Sequence, residues 1–518
     1  MKILLPTVCI MCALLFLCNL GARDFWAPDE GDFAEIVTEL KDNHIVPHLN
    51  GTPYGEKPPL FYYITYLSKN ALFFFKDEVS MRFSTAVFAI VGIVFFLITI
   101  HRFFGINIAT LSSFILMSTP LYYWQARYLQ VDMIFSVFIS CSLLSFFWFY
   151  NTDKKRYFFI FVLLMAFGFM TKGPLSVILI LPIIILFLII ERNYRVISLR
   201  DFFFGIAIFI VVILPWYFAV YYMERFPYLY ENIIRQNLVR FFDAWSHKRP
   251  IYYYFTTLPL DYFPWSVFIP FGIYMGVKRI KEDRKTGFFI LWLLWMFVFF
   301  SLSSGKISKY MLPVLPPIAI LTSLAFLKPE HKYNSLMFLG LSILFFSSGA
   351  FLCLFKTNIY PEFTVERIII GTVLITLSVL ICIFLKLNRK SYVFPVIICA
   401  IVTIFTISNI SIYKKLNAYK SPRVLADMVK PLIRDGTPWV YYGSMRGVYV
   451  YYIGKHAIHI DEHNTVELKK LVNMEKFYIL SRKRDHKELS DTLVNVKTIF
   501  EKKIGETPMV FLLYEKDI

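Results

Sequence analysis

The chain alternates long uncharged apolar runs with short polar connections. Thirteen apolar runs centre near residues 11, 90, 114, 140, 164, 182, 211, 269, 295, 318, 345, 376 and 402. Repeated runs of about 18 or more apolar residues predict helices that cross a bilayer. Only "TKGP" separates the fifth run from the sixth. The first connection, "RDFWAPDEGDFAEIVTELKDNHIVPHLNGTPYGEKPPLFYYI" from Arg23 to Ile64, has a different rhythm. Phe33, Ile36, Val37 and Leu40 follow i, i+3, i+4, i+7 spacing, which predicts an amphipathic helix able to lie flat on a membrane, apolar face down. Asp29 and Glu30 fall in its first turn, where the helix dipole favours carboxylates; a helix cap is the plain reading of that pair.

After about residue 414 the pattern changes again. "YKSPRVLADMVKPLIRDG" predicts a helix with Val424, Leu425, Met428 and Leu432 on one face, ended by Gly436. "PWVYYG", "VYVYYIG", "HAIHID", "FYILS" and "MVFLLYE" predict short strands, with helical segments near 464–474 and 486–493. The expected fold class is an α-helical polytopic membrane protein of about thirteen spans over residues 1–414, followed by a small extracytoplasmic α/β domain over 415–518.

Composition supports this division. The chain is 57% hydrophobic and 17% charged, whereas soluble chains average about 45–50% and 25%. The net charge of +18 does not point to nucleic acid, because the basic residues lie in short loops between apolar runs. Alternate loops carry them: His101-Arg102, Lys154 to Arg156, Arg192 to Arg200, "KRIKEDRK", Lys328 to Lys332, and "KLNRK". Basic short loops mark the cytoplasmic side. The N-terminus is therefore expected inside, with loops 21–78, 121–131, 223–261, 302–309 and the C-terminal tail outside, facing the periplasm or another extracytoplasmic space. The first run also reads as a cleaved signal peptide, which leaves the later parity unchanged. All seven cysteines fall within apolar runs, so neither a disulfide framework nor a CxxC metal motif is expected. His456, His459 and His463 cluster around Asp461-Glu462, which reads as a solvated turn before it reads as a metal site.

The outer segments hold an unusual set of charges. "ARYLQVDM" puts Asp132 at the mouth of the fourth run, and an ionisable group at such a depth is by default a functional candidate. Lys57, Arg127, Lys172, Arg240, Lys248, Arg249, Lys306 and Lys309 all fall on the outward side. Any one of them can be a lysine or arginine snorkelling to headgroups; the set runs against the charge rule. Cations beside carboxylates suit a reaction on a phosphorylated lipid. When a group leaves a lipid phosphate, negative charge builds on the phosphate. Lys57, Lys306 and Lys309 would stabilise it, and a carboxylate such as Asp29 would act on the other reactant. Neither a G-x-G-x-x-G nor a P-loop is present to hold a nucleotide. A transporter or flippase would need mid-membrane charges and paired repeats; the runs are nearly charge-free at their centres and show no repeat.

The segments "WAPDEGDFAEI", "HIVPHLNGTPYGEKPPLFYY", "LQVDMIF", "MTKGP", "LPWYFAV", "VRFFDAWSHKRPIYYY" and "SSGKISKYMLPVLPPIAIL" resemble the lipid A aminoarabinose transferases and their relatives. These are GT-C membrane glycosyltransferases, a type that also includes protein O-mannosyltransferases. The resemblance spans about residues 20 to 330. It implies sugar transfer from a polyprenyl-phosphate donor, on the extracytoplasmic face, to lipid A, a glycan or a protein hydroxyl. It implies Asp29, with Glu30 beside it, as a catalytic carboxylate and Asp132 as a second essential acid. Tyr54, Glu56 and Lys57 would line the cavity, with Lys57 meeting the carrier phosphate. Arg127 and Arg240 would join the substrate-binding cations, and Lys306, Lys309 and Tyr310 would help form the carrier pocket. Two departures bear on the sugar and the metal: Asp32 and Phe33 stand where relatives place Arg and Tyr, and Gln236-Asn237 where they place a metal-binding His. His247 keeps another family histidine and with Glu56 can ligate a divalent ion; a hydrogen-bonded loop histidine is the simpler reading. No other cofactor is implied.

Overall fold

With no water inside a bilayer, each spanning segment must satisfy its backbone polar groups itself, and a helix does so. The computed structural model describes residues 1–327, 331–355, 360–433, 436–493 and 495–516. Lys328, in one expected cytoplasmic loop, and Arg434 and Asp435, in the expected post-membrane helix, lie outside the described residues. The helices run in order as α1 (Leu4–Phe16), α2 (Asp29–Glu39), α3 (Leu60–Ala71), α4 (Asp77–Phe104), α5 (Ile106–Ser118), α6 (Pro120–Ala126), α7 (Val131–Thr152) and α8 (Lys155–Lys172). Next come α9 (Leu175–Ile190), α10 (Leu199–Leu229), the single turn α11 (Arg240–Phe242), α12 (Tyr253–Asp261), α13 (Ile269–Ile280), α14 (Lys285–Leu302), α15 (Leu315–Phe326) and α16 (Lys332–Leu354). The last are α17 (Thr364–Lys386), α18 (Val393–Ile407), α19 (Tyr413–Lys420), α20 (Arg423–Val429), α21 (Gly447–Ile453), α22 (Thr465–Lys470) and α23 (His486–Thr492).

Every expected apolar run is helical. Among the described residues nine helical segments are long and apolar enough to cross a membrane, and α5 and α9 are shorter apolar helices. The chain is a multi-pass membrane protein. The expected outer connection 223–261 is largely helical: α10 continues to Leu229 and a π-helical stretch carries on to Val239. Arg225, with φ 64°, breaks the regular geometry, and Pro227 removes an N–H donor just beyond it.

The chain divides into two compact units. The first comprises Met1–Leu20, Gly55–Ile64 and Arg82–Ile410. Within it α7 packs on α8, α5 on α15, α8 on α10 and α16 on α17. From Val131 through Phe147 every residue of α7 is buried. Its serines allow close approach without leaving polar groups in hydrocarbon: Ser142 donates to the Phe161 carbonyl at 2.9 Å and Ser145 to that of Cys141 at 2.7 Å.

The second unit comprises Gly21–Tyr54, Thr65–Met81 and Ser411–Ile518. It contains a small hairpin of β1 (His48–Leu49) and β2 (Thr52–Pro53), and a sheet of β3 (Trp439–Tyr442), β4 (Ile458–Ile460), β5 (Lys476–Arg482), β6 (Val496–Ile504) and β7 (Thr507–Glu515). The sheet order is β4-β3-β5-β7-β6; β3 is parallel to β4 and β5, and β7 antiparallel to β5 and β6. Val440, Phe477, Ile479, Leu489 and Leu512 are buried at its core.

Three expectations are corrected in this unit. The stripe Phe33, Ile36, Val37 and Leu40 is buried, with α2 packed on α21, so protein rather than lipid covers it. "VYVYYIG" is the helix α21, not a strand; Gly454, with φ 74°, closes it as a left-handed cap. The helix read through "YKSPRVLADM" breaks at Ser421-Pro422 into α19 and α20. Its buried face is Leu425, Ala426 and Val429, with Ile433 beyond, whereas Val424 and Met428 are exposed. β6 was not expected, because charged residues interrupt its apolar positions.

Candidate active site

In the first unit, Asp132 opens α7, where the helix dipole favours its charge. Two lysines reach it from different parts of the sequence: Lys172 Nζ lies 2.5 Å from one carboxylate oxygen and Lys309 Nζ 3.6 Å from the other. Lys172 is the last residue of α8, where the carbonyl end of a helix favours a cation, and Gly173 at φ 72° turns the chain away. Its ammonium also lies 4.6 Å from the Tyr310 ring centre and 5.4 Å from that of Phe135. Lys57 stands within electrostatic reach of Asp132, Lys172, Arg240 and Glu56, and donates to the Glu56 carbonyl at 2.9 Å. Burial, with help from Arg240 and Lys172, pushes its ammonium down to about 8, against the opposing pull of Glu56 and Asp132. Three lysines thus gather around one aspartate. A phosphate monoanion or diester would complete the neutralisation.

The segment bearing Lys57 is held by side chains of the stretch following α10. Asn232 donates to the Gly55 carbonyl at 2.9 Å and accepts from the Tyr217 hydroxyl at 2.8 Å. Arg240 donates to Gln236 at 3.0 Å and lies over the Trp245 ring at 5.3 Å. Two motifs distant in sequence, "SHKRP" and "SSGKISKY", run side by side. Lys306 N–H donates to the His247 carbonyl at 3.0 Å and Ser304 N–H to that of Phe241 at 2.8 Å, with an antiparallel bridge between Lys248 and Gly305. A side chain at 305 would meet the Ala244 Cβ at 2.9 Å, so this approach needs glycine.

Not every expected site residue joins the cluster. Lys306 is buried, but its ammonium donates to the carbonyls of Arg249 and Ser303, and so ties the paired loops together. Burial lowers its affinity for a proton. Arg127 turns to the end of α1 and donates to the carbonyls of Leu15, Phe16 and Asn19 at 3.0, 3.1 and 3.2 Å. His247 is exposed, with φ 58°, and among the described residues it and Glu56 belong to no set of three metal-ligand candidates. Tyr310 stacks on Phe300 at 5.9 Å.

Asp29, Glu30 and Tyr54 belong to the second unit. Asp29 begins α2, half-buried. Glu30 is fully buried and clasped by Arg23 through two bonds of 2.9 and 3.2 Å, and it accepts from the Trp26 N–H at 3.3 Å. That bidentate pair fixes the turn before α2. Tyr54 follows the hairpin, its N–H bonded to the Pro47 carbonyl at 2.7 Å. Sequence reasoning named Lys172 only as one of a set of outer cations, yet it makes the shortest contact with Asp132. Its place after an apolar run and before Gly-Pro was the available signal.

Residues 56–218 match the family model described as dolichyl-phosphate-mannose-protein mannosyltransferase. The undecaprenyl phosphate-alpha-4-amino-4-deoxy-L-arabinose arabinosyl transferase of Wigglesworthia glossinidia brevipalpis is 29% identical over 324 residues, 61% of this chain and 57% of that protein. The protein of the same name from Pectobacterium atrosepticum is 31% identical over 331 residues, 62% of this chain and 58% of its own. The match thus spans less than two thirds of either relative. In three dimensions the chain is similar to ArnT from Cupriavidus metallidurans bound to undecaprenyl phosphate, with a TM-score of 0.82, 17% identity, and coverage of 98% of this chain and 97% of that one. The oligosaccharyltransferase of Archaeoglobus fulgidus is more distant, at a TM-score of 0.56 and 11% identity, covering 93% and 69%. The chain thus has the fold of ArnT along nearly its whole length, and its sequence is similar to the arabinosyl transferases over about three fifths of it.

Proposed function

We propose that the chain is a membrane glycosyltransferase that moves a sugar from a polyprenyl-phosphate donor to an acceptor at the extracytoplasmic face of a bacterial inner membrane. The relatives above are named for undecaprenyl phosphate-linked aminoarabinose, which supports the donor; lipid A is the favoured acceptor on the resemblance of the membrane motifs to the lipid A aminoarabinose transferases. The gathering of Lys57, Lys172 and Lys309 around Asp132 carries this reading. In transfer, the bond between the anomeric carbon and the phosphate oxygen breaks and its electron pair leaves with the phosphate. The lysines receive that charge, already in place and partly desolvated, so little reorganisation is needed. Asp132 holds Lys172 and Lys309 in position while the donor is absent. Asp29 is assigned to the acceptor side: it takes the proton of a hydroxyl nucleophile, or faces the positive charge that develops on the sugar. Glu30 positions Asp29 by fixing the turn through Arg23.

The match of residues 56–218 to a model named for protein mannosyltransferases supports a second reading, with a Ser or Thr hydroxyl as acceptor. One comparison separates the two: transfer from purified donor to lipid A and to a hydroxyl peptide in parallel, by wild type and by Asp29→Asn. A hydroxyl needs a base and a lipid phosphate does not. Loss of hydroxyl transfer at every pH in Asp29→Asn supports a base. Near wild-type transfer by that variant with every acceptor would return Asp29 to a helix end.

A further inference from the structure

We propose that Glu35, Glu39 and His456 form a divalent-cation site in the second unit, which clamps the helix that begins with Asp29 to the C-terminal sheet domain. One ligand atom from each of the three lies within 4.8 Å of the others. Glu35 and Glu39 are one helical turn apart on α2, so their carboxylates leave the same face. His456 comes from the turn between α21 and β4, more than 400 residues along the chain.

The arrangement of partners favours an ion here. Both carboxylates are more than nine-tenths buried, at 6% and 8% exposure. Among the described residues neither forms an ion pair with a lysine or arginine; Lys69 and Lys41 lie within electrostatic reach of Glu35, but Lys69 is paired with Asp77 at 3.1 Å, and Arg423 lies 3.6 Å from Asp24 and Glu78. One oxygen of Glu39 accepts from the Gly51 N–H at 3.0 Å. The other is buried without a hydrogen bond and points to His456 Nε2, 3.3 Å away. Two carboxylates crowded together out of water need a proton or a cation between them. A third, nitrogen donor on the same spot favours the cation. All three line a cavity of about 730 Å³, with room for an ion and its waters. Two oxygens and an imidazole nitrogen, with a position left for water, suit zinc or a similar transition ion better than calcium or magnesium.

The site is separate from Glu56 and His247, so the two are distinguishable by mutation. Full-length protein in detergent, stripped with chelator, is dialysed against zinc; bound metal is counted by mass spectrometry and thermal unfolding is followed. We expect one zinc per chain at this site, a raised Tm, and slowed amide exchange over residues 29–39 and 447–460. His456→Ala removes a half-exposed ring and should fold normally, with a wild-type Tm in chelator. It should bind this zinc about 100-fold more weakly or worse, and lose both the Tm shift and the exchange protection. Glu39→Gln should behave likewise, and His247→Ala should retain all three effects. Wild-type zinc binding in His456→Ala, zinc dependence lost only in His247→Ala, or no zinc binding by the wild type would overturn the proposal.

Discussion

A lysine ammonium among other cations, held near an aspartate, is poised for an anion, and its titration is the most direct reporter of that role. Lys57 holds its proton below about pH 8 and loses it above. Bound phosphate favours the ammonium and raises that value, so donor binding should be strong at pH 7 and weaken as pH rises through 8. A titration of donor affinity from pH 6.5 to 9.5 checks this; a flat profile in wild type contradicts it. Lys57→Ala should flatten the profile and weaken donor use by roughly 10- to 150-fold, the loss of a charge-assisted contact of about 1.5–3 kcal/mol. Asp132→Asn makes a different prediction. It leaves Lys172 and Lys309 without their carboxylate, which costs on the order of 3 kcal/mol, and undecaprenyl phosphate should restore part of the lost Tm by supplying the missing charge. No such rescue would mean that the lysines do not face the carrier. Asp132 and Lys57 were legible in the sequence because charge at the edge of an apolar run is conspicuous. The actual engagement of Arg127 was not, since its acceptors are main-chain carbonyls about a hundred residues away that leave no mark on residue type.

At the scale of elements, the contact of α2 with α21 depends on small residues, Gly31 on one helix and Gly447 on the other. A Cβ on Gly31 would lie 2.0 Å from the Val448 Cβ, far inside contact distance, so the two helices meet only because residue 31 has no side chain. Gly31→Val should separate α2 from α21 and destabilise the second unit by at least the 1–3 kcal/mol typical of overpacking, about; limited proteolysis of residues 411–516 would show it as faster cleavage. Unchanged protection would deny that the helix is packed in this way. The apolar stripe of α2 was readable as a helical face, but its partner was not: the pattern is the same whether lipid or protein covers it. The seven-residue run of α21 shows the matching ambiguity. Alternating Val and Tyr fits a strand as well as a short buried helix, and the decisive mark was Gly454 in the left-handed conformation that ends a helix.

For the whole molecule, the thirteen apolar runs were legible because bilayer length and backbone satisfaction leave few alternatives. The helical continuation from Leu199 to Phe242 was not, because its later part carries polar residues that resemble a loop. The Lys/Arg asymmetry predicts that a reporter fused after Lys281 reads cytoplasmic and one at the C-terminus extracytoplasmic; both on one side would refute the odd number of spans. The central claim concerns chemistry and has its own measurement. Purified chain is given undecaprenyl phosphate-linked aminoarabinose together with lipid A, and both lipids are followed by mass spectrometry. The account predicts that the sugar appears on the acceptor while free undecaprenyl phosphate accumulates in equal amount, and that Lys57→Ala slows both together. Intact donor after incubation with this acceptor, with alternative polyprenyl-linked sugars and with a hydroxyl peptide, by a protein that still binds undecaprenyl phosphate, would contradict it.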